Sequence, residues 1–223
     1  MLDLSVLVDN FTFLIVQGLL GLGGFTGGTL RLAVPAIVLG FVFGVFVGLA
    51  RLARARAISV PATLYVEFFR GVPLVMVIFW IWFIVPQLLR MPIPEYGVAL
   101  TAFVIFESAY FGEIVRAGIQ SVPRGQVEAA TALGLTRAQT MRFVVLPQAI
   151  RNMVPSLVTQ MIVLFKDTSL ASIIGYVDLT KAAQIVNNRE IRPFELYLFI
   201  AVVYWVCTYS MSQVARRFER RPA

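Results

Sequence analysis

Glu107 and Glu113 lie in one apolar stretch, Phe106-Glu107-Ser108-Ala109-Tyr110-Phe111-Gly112-Glu113, and Arg116 follows one helical turn after the second carboxylate. Gln160, Lys166, Asp167 and Thr168 interrupt another apolar run, and Arg70 a third. An ionisable side chain inside lipid costs on the order of 3 kcal/mol, so each needs a partner or a task. On a helix Glu107 shares a face with Tyr110 and Phe111, whereas Glu113 precedes Arg116 in the favourable acid-before-base order. The spacing predicts a structural pair for Glu113 with Arg116, and a gate or cavity wall for Glu107. Gln160 and Asp167, seven residues apart, project from nearly one helix face with Thr168 close by, which suits a polar lining. Lys166 and Asp167 equally suit a water interface, satisfying each other or solvent. Arg70 suits an interfacial anchor that snorkels to water, or a place near a solute path.

The chemistry open to these groups is binding and guidance of a polar solute. The chain has no His, and its single Cys, Cys207, lies in an apolar run. His/Cys metal ligation, a Cys-His nucleophile and a disulfide within the chain are therefore excluded. No paired carboxylates mark a soluble catalytic pocket. No Gly-x-x-x-x-Gly-Lys-Ser/Thr loop occurs, so the chain cannot bind ATP in the P-loop manner. The absence of an internal repeat weakens a reading as a secondary carrier with two inverted halves.

What positions these residues is a set of membrane spans. With 223 residues, 59% hydrophobic and 14% charged, and a mean hydropathy of +0.82, the chain carries more apolar sequence than one soluble core needs. A net charge of +7 could suggest nucleic acid. Its arginines, however, cluster at the ends of apolar runs with no stripe of stacking aromatics. A span needs about 20 apolar residues, and five segments qualify, near 28–50, 59–89, 96–118, 150–170 and 194–215. The fold class expected is all-α, a polytopic membrane protein forming a single transmembrane domain over residues 1–223.

Three basic clusters fall on one face: Arg51, Arg54 and Arg56; Arg116, Arg124, Arg137, Arg142 and Arg151; and Arg216, Arg217, Arg220 and Arg221. The positive-inside rule makes that face cytoplasmic, with the amino terminus outside and the carboxyl terminus inside. No basic residue precedes Arg31, which argues against a cleaved secretory signal. The glycine-rich stretch from Leu4 to Leu22 is too irregular for a sixth span and is expected to form a surface-lying or periplasmic helix. The second segment is too long for one straight span, and Arg70-Gly71-Val72-Pro73 divides it. Pro73 disfavours helix at Val72, so a kink near the cytoplasmic rim is expected.

Between the third and fourth spans, over about residues 120–148, lies a polar elbow. Gly134 can take the left-handed conformation that ends one short helix, and Thr136 with Gln139 has the capping-box spacing that starts the next. Ala129 and Ala130 carry almost no side chain, so a partner surface could approach closely. Pro147 is expected to stop the second helix.

The pattern Glu128-Ala129-Ala130, Gly134 and then Leu146-Pro147 resembles the coupling loop of permease subunits in ATP-binding cassette (ABC) importers, and the likeness extends from about residue 29 to 170. Tyr65-Val66-Glu67-Phe68-Phe69-Arg70-Gly71-Val72-Pro73-Leu74 and Leu164-Phe165-Lys166-Asp167-Thr168-Ser169-Leu170 resemble the polar amino acid uptake branch of that family. The resemblance implies a type I ABC importer permease in a bacterial inner membrane, with a transport rather than an enzymatic role. It implies a second permease, a paralogue or a second copy, to complete the pathway, and two ATPase subunits gripping the elbow. A periplasmic amino-acid-binding protein would deliver the substrate. ATP and Mg would sit on the ATPases, with no cofactor or metal on this chain.

Within that branch, three stretches resemble one subunit of glutamate/aspartate uptake systems: Gly71 to Val77 leading to Ile84-Val85-Pro86, Phe106 to Tyr110, and Val158-Thr159-Gln160 through Leu164-Phe165. A different but related partner permease is implied. Importing a net anion works against an inside-negative potential by about 2.3 kcal/mol per charge per 100 mV, which fits active transport. Lys166 departs from the pattern of the acidic amino acid relatives; it attracts a carboxylate or signals another polar cargo such as glutamine. A carrier driven by an ion gradient, and a membrane scaffold, are the readings of other classes.

Overall fold

The computed structural model describes residues 5–22 and 27–219, with backbone alone at 214, 215 and 217–219. Arg220, Arg221 and the side chain of Arg217 lie outside this description. The elements in chain order are α1 (Ser5–Asp9), a wide π-helical segment (Thr12–Leu19), α2 (Thr29–Arg51), α3 (Arg56–Gly71), α4 (Leu74–Leu89), α5 (Glu95–Gln120), α6 (Arg124–Ala132), α7 (Arg137–Thr140), a π turn (Met141–Val145), α8 (Leu146–Asp167), a 3-10 stretch (Thr168–Ile174), α9 (Leu179–Glu190) and α10 (Pro193–Glu219). Four segments alone are long and apolar enough to cross a membrane: α2, α5, Arg137–Ile174 and Pro193–Gln213. The fifth is the pair α3 and α4, bent by 104°.

That bend has the expected cause. Val72 is extended (φ −111°, ψ 150°) because the ring of Pro73 excludes it from helical space. Arg70 lies beside Tyr110 and Glu113, about 10 Å along the axis from the Gln120 end of α5 and level with Arg51, the last residue of α2.

The helices α2 and α5 run parallel and form the closest packing in the molecule. Gly40, Gly44 and Gly48, one per turn of α2, face Glu107, Phe111, Gly112 and Val115. Without Cβ atoms the two backbones approach closely, which is how membrane helices gain contact when no hydrophobic force separates protein from lipid. Pro35, inside α2, leaves the carbonyl of Arg31 without its helical donor, and the Tyr96 hydroxyl points to that oxygen at 3.5 Å. Tyr65 ties α3 to α5, donating to the Ile105 carbonyl at 2.6 Å with the Ser108 hydroxyl 2.7 Å away.

At the end of the bundle away from Arg51, buried polar groups knit four elements together. The Gly28 amide donates to Val177 and the Tyr176 hydroxyl to Gly28. Asp178, fully buried, caps α9 by accepting from Thr180 and Lys181 amides and takes a third bond from the Tyr204 hydroxyl of α10. Burial pushes the Asp178 carboxyl up to about 6 and the Tyr176 phenol above its ordinary range. The stretch before α2, expected to form a surface-lying or periplasmic helix, packs in part against α9. Leu14 is fully buried, Gly18 packs on Ala182 of α9, and Arg189 donates to Asn10.

Candidate functional site

The elbow forms as two capped helices. α6 ends with Gly134 at φ +81°, the Gly134 amide donating to Thr131 and the Leu135 amide to Ala130, a Schellman pairing that satisfies two terminal carbonyls. Helix α7 begins with a complete capping box: the Thr136 hydroxyl accepts from the Gln139 amide, and the Gln139 side chain accepts from the Thr136 amide at 2.8 Å. Glu128, Ala129 and Gly134 are exposed, and no heavy atom would lie within 4 Å of a Cβ on Gly134. Two expectations need correction. Ala130 is buried at 3% exposure against the elbow's own interior, so only Ala129 of the pair offers a bare surface. Pro147 does not stop a helix, because α7, the π turn and α8 run on as one rod. The proline sits in the first turn of α8, where the wide turn ahead of it makes room for its ring. Leu146 and Pro147 are exposed at the root of the elbow.

Further into the bundle, α3, α5 and α8 line an open cavity of about 370 Å³ formed by Arg70, Tyr110, Glu113, Ile114, Pro155, Ser156, Thr159 and Gln160. The guanidinium of Arg70 lies 5.5 Å from the Tyr110 ring centroid, with its side chain 44% exposed. It stands as a cation on the cavity wall. Glu113 holds more than the predicted partner: Arg116 grips it with two nitrogens, Arg51 of α2 adds a short ion pair, and Arg70 stands 3.9 Å away. Two arginines counted as orientation signals, Arg51 and Arg116, are thus engaged in a half-buried network. A second cavity of about 250 Å³ shares Glu113, Ile114 and Ser156 and continues the groove to Asn152 and Ser121, which are bonded at 2.8 Å.

Of the seven residues predicted along a solute path, Arg70, Tyr110 and Gln160 meet in the cavity. Glu107 stands behind its wall, fully buried, accepting from the Gln160 amide at 2.9 Å. Lys166, Asp167 and Thr168 do not join them. Lys166 is exposed and forms no ion pair with Asp167 among the described residues, so the two do not satisfy each other directly. Thr168 is fully buried and its hydroxyl donates to the Phe165 carbonyl at 2.7 Å. Eight residues past Gln160, Thr168 lies about 80° around a regular helix from it, and the tightening to 3-10 geometry there adds about 20°, so its side chain leaves the Gln160 face. Sequence reasoning missed Ser156 and Thr159; both lie within one turn of Gln160, a spacing that could have flagged them.

This architecture can hold a small polar molecule within a membrane and present a rigid elbow to a partner. Residues 36–223 match the family of binding-protein-dependent transport system inner membrane components. The glutamate/aspartate import permease protein GltK of Escherichia coli O6:H1 (strain CFT073) is 42% identical over 202 residues, 87% of this chain and 90% of that protein. The probable glutamine ABC transporter permease protein GlnP of Bacillus subtilis (strain 168) is 41% identical over 197 residues, 86% and 89% of the two chains. A crystal structure of an amino acid ABC transporter with histidines superposes with a TM-score of 0.91 at 36% identity over the whole of both chains. The fold is that of type I ABC importer permeases. The chain belongs to the family of binding-protein-dependent transport system inner membrane components.

Proposed function

We propose that this permease subunit imports glutamate or aspartate as half of an ATP-driven transporter. The observation that carries the reading is the cavity between α3, α5 and α8, where the Arg70 guanidinium, Tyr110 and the Gln160 amide converge. A guanidinium is the side chain best fitted to a carboxylate, and a cavity of this size suits an amino acid. The 42% identity to a glutamate/aspartate permease supports the acidic cargo. Glutamine is the second reading, supported by a glutamine permease relative at 41%.

The remaining subunits follow from this role. A second permease, a related chain rather than a second copy, completes the pathway. Two ATPases, holding ATP and Mg, grip the elbow at Glu128, Ala129 and Gly134, with Leu146 and Pro147 at its root. A binding protein delivers the amino acid at the opposite, periplasmic face. The exposed Arg54, Arg56, Arg124, Arg137 and Arg142 support an orientation with the amino-terminal side outside and the carboxyl-terminal side in the cytoplasm.

Uptake of labelled glutamate into energised vesicles carrying all subunits tests this. The expected result is ATP-dependent uptake that unlabelled glutamate and aspartate suppress more strongly than glutamine. Uptake driven by a sodium or proton gradient without the ATPase would overturn the assignment, and stronger competition by glutamine would move the cargo to the second reading.

A further inference from the structure

We propose that Glu107 is a positioning residue: it pins the amide nitrogen of Gln160 and so turns that amide's carbonyl oxygen into the cavity, where it receives the ammonium group of the transported amino acid. This rests on the reading that the cavity carries an amino acid. Glu107 is fully buried on the face of α5 against Gly40, where even an added Cβ would come within 3.2 Å of its own. Among the described residues its one hydrogen bond is from Gln160, and its other oxygen has no partner. The Gln160 amide offers it the nitrogen. The two polar atoms of an amide diverge from a common carbon, so fixing one toward α5 directs the other away from it. Among the described residues the Gln160 carbonyl oxygen has no hydrogen-bond partner and is not sealed from solvent, and Gln160 lines the cavity. Without Glu107 the amide is free to turn over and present its donors to a cationic group, which repels it.

The arrangement divides the labour of recognising a zwitterion. Arg70, held over Tyr110, supplies donors for a carboxylate, and Gln160 supplies the acceptor for the ammonium. A buried hydrogen bond to a charged group discriminates by about tenfold or more against a ligand lacking that group. Glu107 contributes to this preference without touching the ligand.

The test compares glutamate with glutarate, which keeps both terminal carboxylates and lacks the ammonium, on the complete permease and ATPase complex in nanodiscs without binding protein. Displacement of labelled glutamate gives the ratio of affinities, and glutamine against glutaramate gives the same ratio if glutamine is the better ligand. Wild type is expected to prefer the ammonium-bearing member about tenfold or more. In Glu107→Leu and in Gln160→Met the ratio falls toward one. The exchange Glu107→Gln with Gln160→Glu restores the preference, since a carboxylate at 160, bonded to an amide at 107, still turns an oxygen to the cavity. A structural role alone would not restore it. If Glu107→Leu does not assemble, Gln160→Met and the exchange decide. An unchanged ratio in the single variants, or no preference in wild type, overturns the proposal. Thr159→Trp, which fills the cavity, separates the two levels: binding that survives it removes the cavity from the transport path, and the inference with it.

Discussion

Replacing the glycines of α2 one at a time by alanine should give a graded loss of stability that follows the geometry of the α2–α5 contact. At Gly44 a Cβ would come 2.5 Å from the Phe111 Cβ and 3.0 Å from the Gly112 amide nitrogen. At Gly48 it would come 2.6 Å from the Gly112 carbonyl oxygen. These are backbone or backbone-fixed atoms, so the helices must part. Overpacking of this kind costs about 1–3 kcal/mol, and the helix propensity of alanine over glycine returns up to about 1 kcal/mol. The net for Gly44→Ala and Gly48→Ala is a loss of about 1–2 kcal/mol, or a drop of a few degrees in Tm. At Gly40 the nearest atom is the Glu107 Cβ at 3.2 Å, which need shift only slightly, so Gly40→Ala should be near neutral. Gly125→Ala in α6, where nothing lies within 4 Å, is the control and should lose nothing. Thermal unfolding of purified protein in one detergent, followed by loss of the monodisperse chromatographic peak, ranks the four. If Gly44→Ala is as stable as Gly40→Ala, the close packing that sets Glu107 and Glu113 in place is not as described.

Asp178, outside the spans, gives a pH dependence of unusual sign. Its carboxyl is pushed up to about 6 by burial, above the unfolded value of 3.8, so the native state binds the proton more tightly. Stability should rise as pH falls from about 6 to about 4, by at most about 3 kcal/mol, and Asp178→Asn, which keeps an acceptor for the cap, should flatten that slope; a slope retained in the variant refutes the assignment. Gly134→Leu should insert normally but weaken co-purification with the ATPase, since a φ of +81° costs a side-chain-bearing residue about 1–2 kcal/mol. Normal association and uptake would remove the elbow from the docking surface. Lys166→Gln should change the apparent KM for glutamate less than about twofold at physiological salt, because Lys166 is exposed and off the cavity, where screening is effective. A tenfold change would place this cation on the path.

How much was legible in sequence depended on whether the cause was local. The five spans follow from run length alone, the break at Val72 from one proline ring, and the elbow's ends from Gly134 and the Thr136–Gln139 box. Each of these is decided within a few residues. Pro147 misled because its effect depends on the turn before it: the π geometry of Met141–Val145 absorbs a ring that a regular helix would not. The Glu113 network was half visible. Arg116 is one turn away, but Arg51 reaches the same carboxylate from a different helix, brought there by the glycine stripe of α2. Glu107 and Gln160 were each noticed as costly in lipid, yet their pairing across two helices has no sequence signal in a single chain. Thr168 was misplaced although its spacing was legible, since eight residues carry it about 80° around the helix from Gln160.

The rod from Arg137 to Ile174 joins the two halves of the site in one body. Pro147 at the elbow's root and Gln160 on the cavity wall are thirteen residues apart on it, about 20 Å along the axis. Between them, Pro155 has no amide hydrogen, so the carbonyl of Arg151 lacks its helical donor and the backbone is weakest there, where Pro155 itself lines the cavity. A displacement of the elbow therefore has two outlets: the rod tilts whole, or it bends at Pro155. In either case Gln160 moves relative to α5, which carries Glu107, Tyr110 and Glu113. Because α5 is held to α2 by the glycine stripe and by Arg51, a displacement carried by α8 is expected to move Gln160 against a stationary α5. The Glu107–Gln160 hydrogen bond crosses that boundary, so a change in the elbow that reaches the cavity must be felt at this bond.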